Sequence, residues 1–125
     1  MKKVTVTVKK EQTYTIEFDE NKIDSEFIKA WSESITDITK EPDEVYSDCL
    51  EAFGEENYPY LNLAKEVAYN VMVNDCEYIE GLKFQHVVDN DIITISPDRE
   101  NYAVWYEQVG YPDTEYEFDL DNTEL

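Results

Sequence analysis

The side chains able to do chemistry here are carboxylates, phenols, two thiols and a single imidazole. Their spacing decides between catalysis and binding. His86 is the only histidine, and its neighbours alternate as a strand, so it reads as a core-edge or surface residue and not as a general base. Cys49 and Cys76 carry no CxxC spacing and no neighbouring histidine; they read as idle thiols of a reducing compartment. Glycine occurs only at 54, 81 and 110, which leaves no Gly-rich phosphate loop. Asp89, Asp91 and Glu100 fit positions 1, 3 and 12 of a calcium loop, but Ile93 and Thr94 stand where an oxygen ligand and the turn glycine belong, so the match fails. Asp119 and Asp121 begin a similar run that ends before a bidentate Glu arrives. Paired carboxylates can do acid–base work, yet a chain with so many supplies pairs by chance. No catalytic residue, metal site or cofactor is therefore expected.

Binding is the better use of these groups. The chain has 125 residues, with 30 Asp and Glu against 10 Lys and Arg, a net charge of −20. Residues 1–40 hold seven Lys and eight acids, a net of −1; residues 41–125 hold 22 acids against Lys65, Lys83 and Arg99, a net of −19. Such an imbalance works against compaction, so an ordered protein that keeps it has a use for it, and a basic surface is the natural counterpart. Direct binding to nucleic acid or anionic lipid is disfavoured for the same reason. A duplex carries about 20 phosphates in roughly 34 Å. A folded chain of this length is ~35 Å across, so it packs about the charge of that duplex into about its length. Nine of the ten tyrosines fall in the acidic part, Tyr14 being the exception. Tyrosine beside carboxylate suits arginine, the acid supplying charge-assisted hydrogen bonds and the ring a cation–π face. The candidate contact residues are Glu55, Glu56, Tyr58, Tyr60, Asp75, Glu77, Glu80, Asp89, Asp91, Tyr111, Asp113, Glu115, Glu117 and Asp119. Further acids cluster at 41–44 and at Asp48 and Glu51.

The elements that must carry these residues follow from periodicity. Val4, Val6 and Val8 alternate with Thr5 and Thr7; after Lys9, Lys10 and Glu11, Tyr14, Ile16 and Phe18 alternate with Thr13, Thr15 and Glu17. This predicts a two-stranded hairpin with one face buried. Ile23, Phe27, Trp31, Ile35 and Ile38 form a helical stripe, capped from within Asp19 to Asn21. Pro42 opens a shorter helix bearing Val45, Cys49 and Phe53, which Gly54 closes. A third helix turns Leu61, Ala64, Val67, Ala68, Val71 and Met72 inward and ends near Asn74 and Asp75. Strands then follow at 83–88, 92–96, 102–107 and 115–120, joined by turns at 89–91, 97–101 and 110–113. The tail from Asp121 is expected to fray. The order β-β-α-α-α-β-β-β-β predicts a single α+β domain over 1–125, an antiparallel sheet of five or six strands with helices on one face and water on the other. Glu115, Glu117 and Asp119 then line the open face, where like charges would not ordinarily be stacked. The chain lacks an apolar run of about 18 residues, and its start does not read as a signal peptide, so a cytoplasmic protein is expected.

With this size, charge and Tyr-rich acidic surface, the chain resembles the small acidic proteins of phages and plasmids that inhibit host defence nucleases by imitating DNA, anti-restriction and anti-CRISPR proteins among them. EFIKAWSESITDI, LAKEVAYNV and YIEGL also look like stretches of small mobile-element proteins from low-GC Gram-positive bacteria, a likeness over about residues 3–82. These groups share no fold and no motif, so the resemblance assigns no contact residue. It implies a non-enzymatic inhibitor in the host cytoplasm that fills the DNA groove of an RNA-guided CRISPR effector, where arginines read the duplex end. A restriction or modification enzyme is the next candidate target. The alternative is an acidic adaptor or immunity-like protein that binds a basic partner without imitating DNA.

Overall fold

The computed structural model describes residues 1–43, 53–89, 91–92 and 102–125. Most of the short helix read after Pro42, with Tyr46 and Cys49, lies outside them, as do the strand beyond Ile92, the following turn, and Glu100. Among the described residues the elements are β1 (Val6–Phe18), α1 (Ser25–Ser34), a 3-10 turn (Glu55–Asn57), α2 (Tyr58–Asn74), β2 (Tyr78–Ile79), β3 (Leu82–Val88), β4 (Asp91–Ile92) and β5 (Val104–Phe118). The α+β class holds.

Neither of the two expected hairpins forms. Val6 to Phe18 is one strand without a turn, and so is Val104 to Phe118. They pair with each other, antiparallel, from Val6↔Phe118 to Phe18↔Val104. Lys9, Lys10 and Glu11 lack turn chemistry and remain extended. The composition at 110–113 does bend the backbone, but into a bulge: Gly110, Tyr111 and Pro112 stand opposite Gln12, between the pairs Glu11↔Asp113 and Thr13↔Val109. Gly110 has φ +71°, which a bulge asks of glycine. The Gln12 amide fills the gap, donating to the Val109 carbonyl (3.2 Å) and accepting from Gln108 Nε2 (3.0 Å).

The sheet order is β1-β5-β3-β2, four strands in place of five or six, with the two-residue β4 turned back on β3. Pairing is mixed: β3 and β5 run parallel, Phe84 beside Val104 and His86 beside Tyr106. Short turns had implied antiparallel neighbours throughout, but residues 89–103 are enough for a parallel return, which takes about a dozen.

Helices α1 and α2 pack on the inner half of this sheet. Ile23, Trp31, Ile38, Leu63, Val67, Leu82, Phe84, Val104 and Tyr106 form the core, with Tyr14, Ile16 and Phe18 of β1 against it. The cap of α1 is Asp24, whose carboxylate accepts from the Phe27 N–H (2.9 Å); Asp19 instead turns the preceding loop. Since α1 stops at Ser34, Ile35 leaves the stripe and is exposed, while Ile38 returns to the core from the loop. In α2 the buried positions are Pro59, Leu63 and Val67, with Tyr60 and Val71 half-buried against the core; Met72, expected inside, is exposed. Gln85 and Trp105 alternate to the far face and are buried as well, so the sheet is covered on both sides at these positions; Lys83 of β3 and most of the β1–β5 ribbon stay exposed on the far face.

The tail does not fray. Asp119 accepts from the backbone N–H of Asp121 and Asn122 and from Asn122 Nδ2 (2.7 Å), a turn that brings Glu124 into an antiparallel bridge with Lys3, both N–H···O contacts being 2.7 Å. Thr5 adds bonds to Asn122 and Thr123. The Asn122 amide, ahead of the backbone donors, holds the Asp119 carboxyl below the usual carboxylate range. A group shifted in that direction supports structure above its ordinary value of 3.8 and ceases to as pH falls through its lowered one. Amide exchange at Lys3 and Glu124 should therefore stay slow down to the ordinary carboxylate range and quicken below it, and Asp119→Ala should remove that protection at neutral pH. Unchanged protection in Asp119→Ala would show that the clasp stands on the backbone bridge alone.

Candidate functional site

Strand alternation sorts the ribbon into two unlike faces, because directly paired residues share a side. The odd-numbered residues of both strands form one of them. It carries Glu11 and Glu17 from β1, Glu107, Asp113, Glu115 and Glu117 from β5, and Asp119 just past the strand end. Lys9, opposite Glu115, is the one basic residue among these positions; the rest of the β1 row is threonine. All are exposed except Glu107 and Asp119, which are half-buried. Glu107 accepts the backbone N–H of Asp89 (3.3 Å), which ties the exposed Asp89 to the same row. From Asp113 to Asp119 successive acids stand ~6.8 Å apart, while Glu11 and Glu17, and Glu107 and Asp113, are separated by about 20 Å; the paired length is ~40 Å. Seven carboxylates less one lysine leave a net −6, or one charge per roughly 7 Å, about a quarter of the duplex value of one per ~1.7 Å.

The other expected contact residues divide by surroundings. Asp113, Glu115, Glu117 and Asp119 come together on this row, though the Asp119 carboxylate is engaged in the tail turn. Tyr111, 98% exposed, projects from the bulge between Val109 and Asp113. Glu55 and Glu56 are exposed in the 3-10 turn ahead of α2. Asp75, at the left-handed C-cap of α2, and Glu80, ahead of β3, belong to the sheet edge remote from β1. Asp91 is exposed on β4. Tyr58 is half-buried. Tyr60 is turned inward, its ring 5.6 Å from that of Phe18 and its hydroxyl donating to the Ile23 carbonyl (2.9 Å). Glu11, Glu17 and Glu107 were absent from the sequence-derived set; the parity that places them was readable once a single ribbon, and not two hairpins, was assumed.

Glu77 has a structural partner. The buried Tyr106 donates its hydroxyl to Glu77 Oε1 (2.8 Å), and its ring meets Tyr14 (6.3 Å, edge-on), Phe84 (6.0 Å, edge-on) and His86 (4.6 Å, stacked). Burial pushes the Tyr106 phenol far above its ordinary 10, helped by the hydrogen bond to Glu77 and that residue's charge. His86 thus packs flat on a core tyrosine, in keeping with the core-edge reading. Cys76 directs its thiol at the Tyr78 carbonyl (2.9 Å). Among the described residues no group of three His, Cys, Asp or Glu is disposed to hold a metal, and no helix is long and apolar enough to cross a membrane.

Because the folded chain keeps the Tyr106 proton above pH 10 while the unfolded chain releases it, stability should fall as pH rises past 10. Tyr106→Phe should cost about 1–2 kcal/mol at neutral pH through the lost hydrogen bond and flatten that alkaline decline. Urea unfolding at pH 7 and above pH 10 checks both; an equally steep decline in the variant would place the alkaline sensitivity elsewhere. Set against family models, curated proteins and solved structures, the chain matches none of them.

Proposed function

We propose that this protein is a non-enzymatic inhibitor whose acidic ribbon face occupies the basic nucleic-acid groove of a host defence nuclease. An RNA-guided CRISPR effector is the first candidate target and a restriction or modification enzyme the second. The observation that carries this reading is the segregation of charge: seven carboxylates and one lysine on a single extended face, in a chain of net charge −20. Asp113, Glu115 and Glu117, at ~6.8 Å intervals, meet a row of Arg and Lys along a groove, and Tyr111 offers a ring for an arginine to stack on. Repulsion along the row is relieved on contact with a polycation, so association is steered and falls with salt.

A specific magnitude favours a second reading. At about a quarter of the duplex charge density, the ribbon face alone falls short of a full phosphate track. An acidic adaptor that binds a basic protein outside its DNA groove needs no higher density.

Competition separates the two. In a mobility-shift assay the inhibitor should displace target duplex from the nuclease, whereas an adaptor leaves a ternary complex. Glu107→Gln, Glu115→Gln and Glu117→Gln should each loosen binding a few-fold, and together by about a hundredfold, mostly through slower association. Binding that survives about 1 M NaCl undiminished would refute the electrostatic mechanism.

A further inference from the structure

The even-numbered face of the ribbon poses a separate question. Its inner half, Tyr14, Ile16, Phe18, Val104 and Tyr106, lies under the helices. The outer half continues the same face past the Gln12 bulge with Val6↔Phe118, Val8↔Tyr116 and Lys10↔Thr114, and no helix among the described residues packs on it. Val6, Val8, Tyr116 and Phe118 are 45%, 54%, 68% and 64% exposed, and Val4 and Leu120, next in the alternation, are 51% and 84% exposed. These six side chains expose on the order of 600 Å², as much as the largest apolar patch of an ordinary monomer, beside the ~800 Å² per partner of a stable interface.

We infer that this face is the contact by which two copies of the chain associate as an isologous dimer. Charge argues for a second copy over the basic partner. Every ribbon carboxylate is on the odd face, and the only charged side chain at the paired even positions beyond the bulge is Lys10, so nothing there attracts a polycation. Shape sets the symmetry. Because helices cover the inner half of this same face, the two-fold must lie in the contact plane and run across the strands, which lays outer half on outer half and points the two helix-covered halves apart. Val6 and Val8 then meet the valines of the second copy, and Tyr116 and Phe118 meet its aromatic rings. Sheets stacked in this way are ~10 Å apart, and both acidic faces then point outward. The inference does not depend on what those acidic faces bind.

Salt distinguishes the two contacts. Two copies of charge −20 repel, so screening tightens the dimer while it loosens any complex with a basic protein. Light scattering and sedimentation of the full chain should show a reversible shift from 14.7 kDa to twice that mass, at lower protein concentration in about 500 mM NaCl than in about 50 mM. Val8→Lys and Phe118→Lys should each weaken association by about tenfold or more with unchanged circular dichroism, and Glu117→Lys should not weaken it. A mass of 14.7 kDa at every concentration in both salts overturns the proposal and leaves the face to some other occupant. So does a dimer that persists in both face variants. Neither outcome touches the nuclease assay above.

Discussion

Pairing between β1 and β5 governs which side chains of this protein can share a surface. Twelve residue pairs run along it with one interruption, and the interruption leaves parity intact: one residue on β1 is opposed by three on β5. Even positions therefore stay with even positions from Phe18 out to Val6, and odd with odd. A bulge of one extra residue would have reversed the outer half, turning Glu115 and Glu117 toward the core side and Tyr116 and Phe118 to the other. Gln12, bonded to Val109 and Gln108 across the gap, secures the arrangement that is found.

The inner half of the ribbon is held by a different kind of contact. Tyr106 gathers Tyr14, Phe84 and His86 around its ring and passes its one polar atom to Glu77. Without that acceptor the phenol would lack a hydrogen bond in a buried setting, an arrangement that costs more than the bond itself returns. One carboxylate of a very acidic chain is thus committed to folding. A second, Asp119, is committed to the tail. Asp24 and Asp19 serve α1 and the loop before it, and Glu107 holds the Asp89 backbone; the rest of the odd-face row is exposed.

Periodicity in the sequence revealed which residues alternate, and hence α2, β3 and the two faces of β1 and β5, although the outer half of the apolar face, expected to be buried, is exposed. It did not reveal partners. Val4 to Val8 and Tyr14 to Phe18 read equally well as two strands or as one, because Lys9, Lys10 and Glu11 neither favour nor forbid a turn. Gly110 and Pro112 do mark a break in regular pairing, but the same residues serve a hairpin and a bulge. The parallel contact of β3 with β5 depends on a connection whose path local composition does not encode. The acidic row at Glu115 and Glu117 was legible from charge and alternation alone. Its extension to Glu11, Glu17 and Glu107 was not, because it rests on long-range register.

The clasp that joins Lys3 to Glu124, and the ladder behind it, tie together segments about a hundred residues apart in sequence. Such a topology has a cost in time. When β1 leaves the ribosome its partner does not yet exist, and residues 19–103 must be made first, on the order of ten seconds at ~5–20 residues per second. Throughout that interval a valine- and threonine-rich segment waits unpaired, guarded against wrong neighbours by the lysines at 2, 3, 9 and 10. The acidic face is assembled only once residues 107–119 have been made, so a chain stopped before them would lack it.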